Sequence, residues 1–287
     1  MSIQNNKKMK LHKIEAGSFH VDGGAAFGVV PKKVWQKRYP ADENNFCKLH
    51  MRCLLVDTGD RRILVDAGTG DKQLEYLKYY GFEGVISFPD ELAKLGYACE
   101  DITDVVFTHL HFDHCGGATR YNADKSAVEL VFPNATHWVG DAQWQNFLNP
   151  NVREGDSYFS ENMLPIENAG KLQKVSSDLV LTDGVELRLF NGHTVGQIAV
   201  YVKMAQQTLV YCGDVIPLAA NVPVAWLSSY DIFPLDAMTD KQRMLEEAAE
   251  KQQILFFEHD AYTECCLVEK QYNKFKVLKT LRFEDIC

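Results

Sequence analysis

The stretch Thr108-His109-Leu110-His111-Phe112-Asp113-His114-Cys115-Gly116-Gly117 sets four residues of metal-ligand type within six positions. Three more follow at long range, His193, Asp214 and His259, so that five of the chain's nine histidines belong to one ordered series. Imidazole and carboxylate are the ligands that borderline-soft divalent metals such as zinc prefer. Seven of them suit two metals better than one, because a catalytic zinc usually takes three protein ligands and keeps a position open. In an extended loop alternate residues point the same way, which lets His109 and His111 reach one ion. Asp113 and His114 follow in a tight turn, eased by Cys115-Gly116-Gly117, and can face a second. A closed, non-catalytic metal-binding module would need further ligands to shut the site, and the series has none left over.

Outward from this stretch, the pattern reads as strands first and then strands alternating with helices. Cys53-Leu54-Leu55-Val56-Asp57 and Ile63-Leu64-Val65-Asp66 form a hairpin around Gly59-Asp60. Residues 87–96 read as a short helix, with Ser87 as cap, Pro89, Asp90 and Glu91 in the first turn and Gly96 as stop. Residues 104–108 are an apolar strand that delivers His109. Leu130-Val131-Phe132 and Thr136-His137-Trp138-Val139 are further strands, and a helix follows from about Asp141. Residues 149–169 are polar and irregular, a lid or pocket wall. Residues 185–190, 198–202 and 209–212 are strands, and His193 and Asp214 fall just after the first and third. Thr239-Asp240-Lys241-Gln242 reads as a capping box that opens a helix, and residues 254–257 as a buried strand ending at His259. Nearly every candidate ligand therefore follows a strand, and strand ends converge on one rim of a sheet.

The whole chain sets limits on this reading. At 287 residues, with 46% hydrophobic and 24% charged residues, it has the composition of a globular protein with a large core. Its net charge of -9 argues against nucleic-acid and anionic-membrane partners, which are held mainly by lysine and arginine. The positively charged opening at residues 1–8 has no apolar run after it, and nothing approaches the roughly 18 apolar residues that span a bilayer. The eight cysteines form no CxxC pair and read as buried reduced thiols, Cys115 among them, which places the protein in the cytoplasm.

The pattern HxHxDH, followed by a distant His, then Asp, then His, resembles the metallo-β-lactamase superfamily. The spacings are 79 residues (114 to 193), 21 (193 to 214) and 45 (214 to 259). Val65-Asp66-Ala67-Gly68, Gly192-His193-Thr194-Val195-Gly196-Gln197 and Cys212-Gly213-Asp214 belong to the same resemblance. It implies a single α+β domain, a four-layer αββα sandwich, with the site at one edge of its two sheets. It also implies that His109, His111 and His193 hold one metal and that Asp113, His114 and His259 hold another, with Asp214 bridging. Asp66 takes a supporting role, orienting a ligand histidine. The cofactors expected are two divalent ions, best zinc, with manganese or iron(II) as alternatives. Two cations sharing a water lower its pKa enough to give a bridging hydroxide that attacks a small ester, with Asp113 and Asp214 as the acid groups at the reacting centre.

Within the superfamily the chain is most similar to the branch of acyl-homoserine lactonases and organophosphate-type arylesterases. Asp22-Gly23-Gly24-Ala25-Ala26-Phe27-Gly28 resembles an N-terminal loop, about residues 20–50, that edges the site in this branch. Asp214-Val215-Ile216-Pro217 running on to Tyr230-Asp231-Ile232-Phe233-Pro234 resembles its segment after the bridging aspartate. A lactone is the substrate expected, with aryl ester or phosphotriester and glyoxalase II-like thioester as alternatives. The lactonases often place a tyrosine a few residues after the bridging aspartate; here Val215, Ile216, Pro217 and Leu218 stand there, and Tyr230 is the substitute. Phe27, Trp226, Tyr230 and Phe233 are expected in the substrate pocket, and exposed aromatics near the N-terminal loop would favour a homodimer.

Overall fold

The computed structural model describes residues 9–286, and the statements below concern these residues; the charged opening and Cys287 lie outside them. The elements run β1 (Lys10–Asp22), α1 (Gly23–Phe27), α2 (Lys32–Trp35), β2 (Phe46–Asp57), β3 (Arg62–Val65), α3 (Phe88–Lys94) and β4 (Asp104–Val106). Then come α4 (Phe112–Cys115), β5 (Thr119–Tyr121), β6 (Val128–Leu130), β7 (Thr136–Gly140), α5 (Asp141–Leu148), α6 (Ser160–Asn168) and β8 (Leu172–Val175). The remainder is β9 (Leu179–Thr182), β10 (Val185–Phe190), β11 (Gln197–Lys203), β12 (Thr208–Tyr211), α7 (Pro234–Lys251), β13 (Ile254–Phe256), β14 (Cys265–Gln271) and β15 (Lys274–Leu281).

Two sheets carry the fold, ordered β1-β2-β3-β4-β7-β8 and β15-β14-β13-β12-β11-β10-β9. Strand alternation explains why they stack. On β2, Leu54 and Val56 join Ile63, Val65 and Val106 in an inner core, where they meet Ile198, Val200, Val202, Leu209, Tyr211, Ile254 and Phe256 of the second sheet. The alternate residues point outward on each side. Cys53, Leu55, Leu64 and Val105 pack beneath Leu92 of α3, Trp144 and Phe147 of α5, and Met163 and Ile166 of α6. Ala199, Tyr201, Val210 and Leu255 pack beneath Met244, Leu245 and Ala248 of α7. Helix, sheet, sheet and helix make the αββα sandwich expected from the sequence, and a strand buried on both faces reads as a continuous apolar run. No helix among these residues is long and apolar enough to cross a membrane.

Pairing directions then place the site. β3, β4 and β7 are parallel, as are β12 and β13, while β10 and β12 are both antiparallel to β11 and so point the same way. The carboxyl ends of β4, β10, β12 and β13 are therefore free to meet at one rim.

Three local expectations are corrected. Thr239 opens no helix: α7 begins at Pro234, whose fixed φ suits a first turn, and the Thr239 hydroxyl donates to the Leu235 carbonyl one turn back. Residues 149–169 are not wholly irregular, because α6 forms with Asn162, Met163 and Ile166 buried. The N-terminal loop is shorter than residues 20–50, since β1 runs to Asp22, β2 starts at Phe46, and α1 and α2 lie between.

The seven cysteines described are reduced and buried. Burial pushes the Cys115 thiol up to about 12, so it packs rather than reacts.

Candidate metal centre

After β4 the chain bends at Thr108, leads through His109 to an extended backbone at His111, and then closes in the single turn of α4, which presents Asp113 and His114. This turn lies tightly on residues 66–68: a Cβ on Gly117 would sit 2.1 Å from the Ala67 carbonyl oxygen. Asp66 adopts a positive φ of 58° and is fully buried. Its Oδ1 accepts from the Thr108 amide at 2.7 Å. Its Oδ2 accepts from the Thr108 hydroxyl at 2.7 Å and from His114 Nδ1 at 3.1 Å. Asp66 is thus more than a turn residue, because it joins the two ends of the histidine motif.

The His193 loop is pressed onto α7, where a Cβ on Gly192 would lie 2.1 Å from Ala237 Cα, and Asp240 accepts the amides of Asn191 and Gly192. Gly213 turns the chain at a φ of 50° to present Asp214. The Gln197 side-chain carbonyl, in the orientation that satisfies its hydrogen bonds, accepts the amides of Asp214 and Val215. His259 leaves β13 against β2, whose His50 amide donates to the His259 carbonyl at 2.9 Å.

The seven side chains converge. His111 Nδ1 lies 2.9 Å from His109 Nε2 and 3.3 Å from His193 Nε2. His114 Nε2 lies 3.2 Å from His259 Nε2, and Asp113 Oδ2 is 3.7 Å from both. Asp214 spans the two groups, with Oδ2 3.3 Å from His193 Nε2 and Oδ1 3.1 Å from His259 Nε2. Nitrogens that share a tetrahedral zinc at 2.0–2.1 Å are about 3.3 Å apart, so the spacing suits one ion in each group.

The outer ring nitrogens explain what these contacts are. His109 Nδ1 meets the Thr108 hydroxyl at 3.1 Å, and His114 Nδ1 lies 3.1 Å from Asp66 and from Glu258. His193 Nδ1 donates to Asp231 at 3.1 Å, His259 Nδ1 to the His50 carbonyl at 2.7 Å, and His111 Nε2 to Glu154 at 3.3 Å. With the proton of each ring placed outward by its partner, five lone pairs and two carboxylates face one another with no donor among them. Asp214 Oδ1 is buried without a hydrogen bond. A set of acceptors alone is stable only around cations, and the donor types fit divalent metals.

Electrostatics agree. Burial alone would lower His259, but Asp214 outweighs it and lifts the ring to about 9. Burial likewise opposes, and carboxylates overcome it, at His193 beside Asp214 and at His114 beside Glu258 and Asp113, so both rings rise. Asp214 moves the other way: burial opposes ionisation, and the rings of His259 and His193 hold it well below the carboxylate range. His109 is pushed down by burial and by its neighbouring rings. Without metal, protons take the place of cations.

A cavity of about 330 Å³ opens onto these groups, lined by His111, Asp113, His193, Asp214 and His259 below and by Phe19, Val21, Leu49, Leu218 and Ile232 along an apolar wall. Tyr230 is among the residues that line it. Phe27, Trp226 and Phe233 are not. Phe27 is fully buried, stacked 4.8 Å from Trp35, with Trp226 edge-on behind it at 6.3 Å, and Phe233 precedes α7 at the surface. Phe27, Trp35 and Tyr39 of the N-terminal loop are buried and build its interior. Sequence reasoning missed Tyr80 and Arg153 on the cavity wall, and Glu154, Asp231, Gln197 and Glu258 behind the ligands. Gln197 and Asp231 lie in stretches quoted for the family resemblance without a role being drawn for them, and Glu154 is an acidic residue in a segment already marked as pocket wall.

Residues 52–259 match the metallo-beta-lactamase superfamily. An N-acyl homoserine lactonase of Bacillus cereus is 26% identical over 247 residues, 79% of this chain and 88% of that one. A probable metal-dependent hydrolase from Staphylococcus aureus superposes with a TM-score of 0.85 at 28% identity, covering 96% of this chain and 99% of that one. A dizinc quorum-quenching lactonase shares the fold at a TM-score of 0.77 and 20% identity, over 96% and 95% of the two chains. By its sequence match, its fold and its His/Asp clusters, the chain belongs to the metallo-beta-lactamase superfamily and is a hydrolase of that group.

Proposed function

We propose that the protein is a dinuclear metal-dependent hydrolase that opens a small ester, best a lactone. One observation carries this reading: five histidines turn their lone pairs inward beneath a cavity, each with its other nitrogen held by a partner. His109, His111 and His193 would hold the first ion and Asp113, His114 and His259 the second, with Asp214 within reach of both. Two divalent cations, best zinc, would supply acidified water and polarise the carbonyl oxygen. The chain's residues do the rest. The cavity's apolar wall holds the acyl part and excludes bulk water. Asp113, at the cavity floor, carries the proton from the attacking water to the departing alcohol oxygen, so that water adds across the acyl C–O bond.

Tyr230 takes the place of the lactonase tyrosine. Burial first, and then the nearby Tyr80 and Asp113, raise its phenol, so it remains a hydrogen-bond donor for the carbonyl. The similarity to the Bacillus cereus lactonase supports the lactone. The thioesterase alternative loses support, because Lys270 of β14 pairs with Glu246 of α7, Lys276 of β15 pairs with Glu269 of β14, and neither lysine lines the cavity. The test is a panel of lactones, thioesters, aryl esters and phosphotriesters with the metal-loaded protein, with His109→Ala as control. Lactone turnover that the substitution abolishes, while thermal unfolding stays cooperative, supports the proposal. Full activity in His109→Ala would remove it.

A further inference from the structure

Beyond the metal ligands, Arg153 stands apart from the other described arginines. Arg52, Arg61, Arg120, Arg188, Arg243 and Arg282 are each paired with a carboxylate. Arg38 and Arg62 lie over the rings of Trp226 and Tyr97. Arg153 is the exception among the described arginines: its guanidinium has no carboxylate or ring partner, and it alone supplies a lysine or arginine to the cavity lining.

Its position is built. The Arg153 and Glu154 amides donate to Asn151 Oδ1 at 2.9 and 3.1 Å. The next side chain, Glu154, is buried, where it accepts from Thr194 at 2.6 Å, Tyr158 at 2.9 Å and Asn146 at 3.0 Å. The backbone is therefore fixed to the wall of the metal centre while the guanidinium stays solvated and unspent. Asp113, Asp214 and Glu154 share the cavity lining, so a substrate carrying a carboxylate needs a cation on the wall to offset them, and Arg153 supplies it. Guanidinium binds carboxylate bidentately, and the apolar wall suits the carbon chain between that group and the ester.

We infer that Arg153 makes the cavity selective for esters that carry a carboxylate remote from the scissile bond, an inference that rests on the hydrolytic reading above. The experiment compares phenyl hexanoate with monophenyl adipate, equal in chain length and differing in the terminal carboxylate. The readout is the ratio of kcat/KM, carboxylated over neutral, for the metal-loaded wild type, Arg153→Gln and Arg153→Glu. Lys274→Gln, on the far edge strand β15, is the control. The ratio should fall about tenfold in Arg153→Gln, the scale of one charge-assisted hydrogen bond. It should fall further in Arg153→Glu, through KM, and stay put in Lys274→Gln. An equal ratio in wild type and Arg153→Gln overturns the inference and leaves the hydrolase standing. If the wild type cleaves neither phenyl ester, the aryl ester alternative falls while the lactone panel still decides the hydrolytic reading, and calorimetry with the amides adipanilic acid and hexananilide decides the arginine. Selective loss of adipanilic acid binding in Arg153→Gln supports the role, and equal binding overturns it.

Discussion

Glu154→Gln tests the metal centre where the sequence is silent. Glu154 Oε1 accepts from His111 Nε2 at 3.3 Å, from Thr194 at 2.6 Å and from Tyr158 at 2.9 Å; Oε2 accepts from Asn146 at 3.0 Å and from Asn151. Glutamine keeps the volume but offers one oxygen. If that oxygen stays with His111, the new amide group confronts the donors of Asn146 and Asn151. Hydrogen bonds to a charged group contribute roughly 1.5–3 kcal/mol against about 1 for neutral ones, so losing the charge and stranding one or two donors costs about 2–3 kcal/mol in the metal-free protein. Metal binding changes separately, because the anion that fixes the His111 ring is gone, and losing such a partner typically costs about 10–100-fold in affinity. Competition with a chromophoric zinc chelator resolves the two sites. One affinity should fall by that factor while the other moves less than about threefold, since Glu154 touches no residue of the Asp113, His114 and His259 group. Two unchanged affinities, or two that fall equally, would refute the assignment of Glu154 to the first ion.

Further outcomes follow from the same coordinates. Gly192→Ala forces a methyl to within 2.1 Å of Ala237 Cα, so thermal unfolding should show a loss of about 1–3 kcal/mol and zinc competition a weaker first site. Lys241 is buried, with its ammonium donating to the Trp226 carbonyl at 2.7 Å, and burial lowers it to about 7. Between pH 7 and about 10.5 the unfolded chain then binds the extra proton, so urea denaturation should show the wild type gaining on Lys241→Met as pH rises, by at most about 1.4 kcal/mol per pH unit. A flat or falling difference would contradict the burial of a neutral amine. Chelation should lower the midpoint of thermal unfolding, and zinc should restore it in a concentration-dependent way, with two equivalents bound by elemental analysis. A single equivalent would remove the dinuclear reading.

The sequence was most legible where one residue type has one use. The HxHxDH cluster and its distant partners are dense in donors that a core rarely needs, and the strands that carry them are apolar runs that only a doubly covered sheet explains. Asp66 was named only through the family resemblance, since 42 residues separate it from Thr108 and only the fold brings the two together. Residues whose role depends on a distant segment were not. Phe27 and Trp226 have the composition of a pocket wall, yet each finds another aromatic first, and stacking removed them from the cavity. Thr239 has the spacing of a cap, but Pro234 starts α7 earlier and tertiary packing of that turn wins. Glu154 and Arg153 look like an ordinary charged pair in a polar loop. Only the fold shows that one faces inward to His111 and the other outward to the cavity.

That alternation recurs and couples two properties usually treated apart. Glu154 grips His111 and lines the cavity together with its neighbour Arg153; Asp231 grips His193 while its neighbours Tyr230 and Ile232 line the cavity. Both loops serve the histidines of the first group. The second group rests on β2, β3 and the residues around Glu258, where the backbone is paired and buried. A substitution that shifts the backbone of residues 149–158 or 228–232 should therefore also disturb the ring orientation of His111 or His193, whereas one confined to an exposed side chain such as Arg153 should not. Selection for a new substrate along these loops should weaken the first ion before the second, and supplementing the assay with excess zinc should recover part of the activity that such variants lose. Variants that lose activity without any zinc dependence would show that cavity and metal site vary independently.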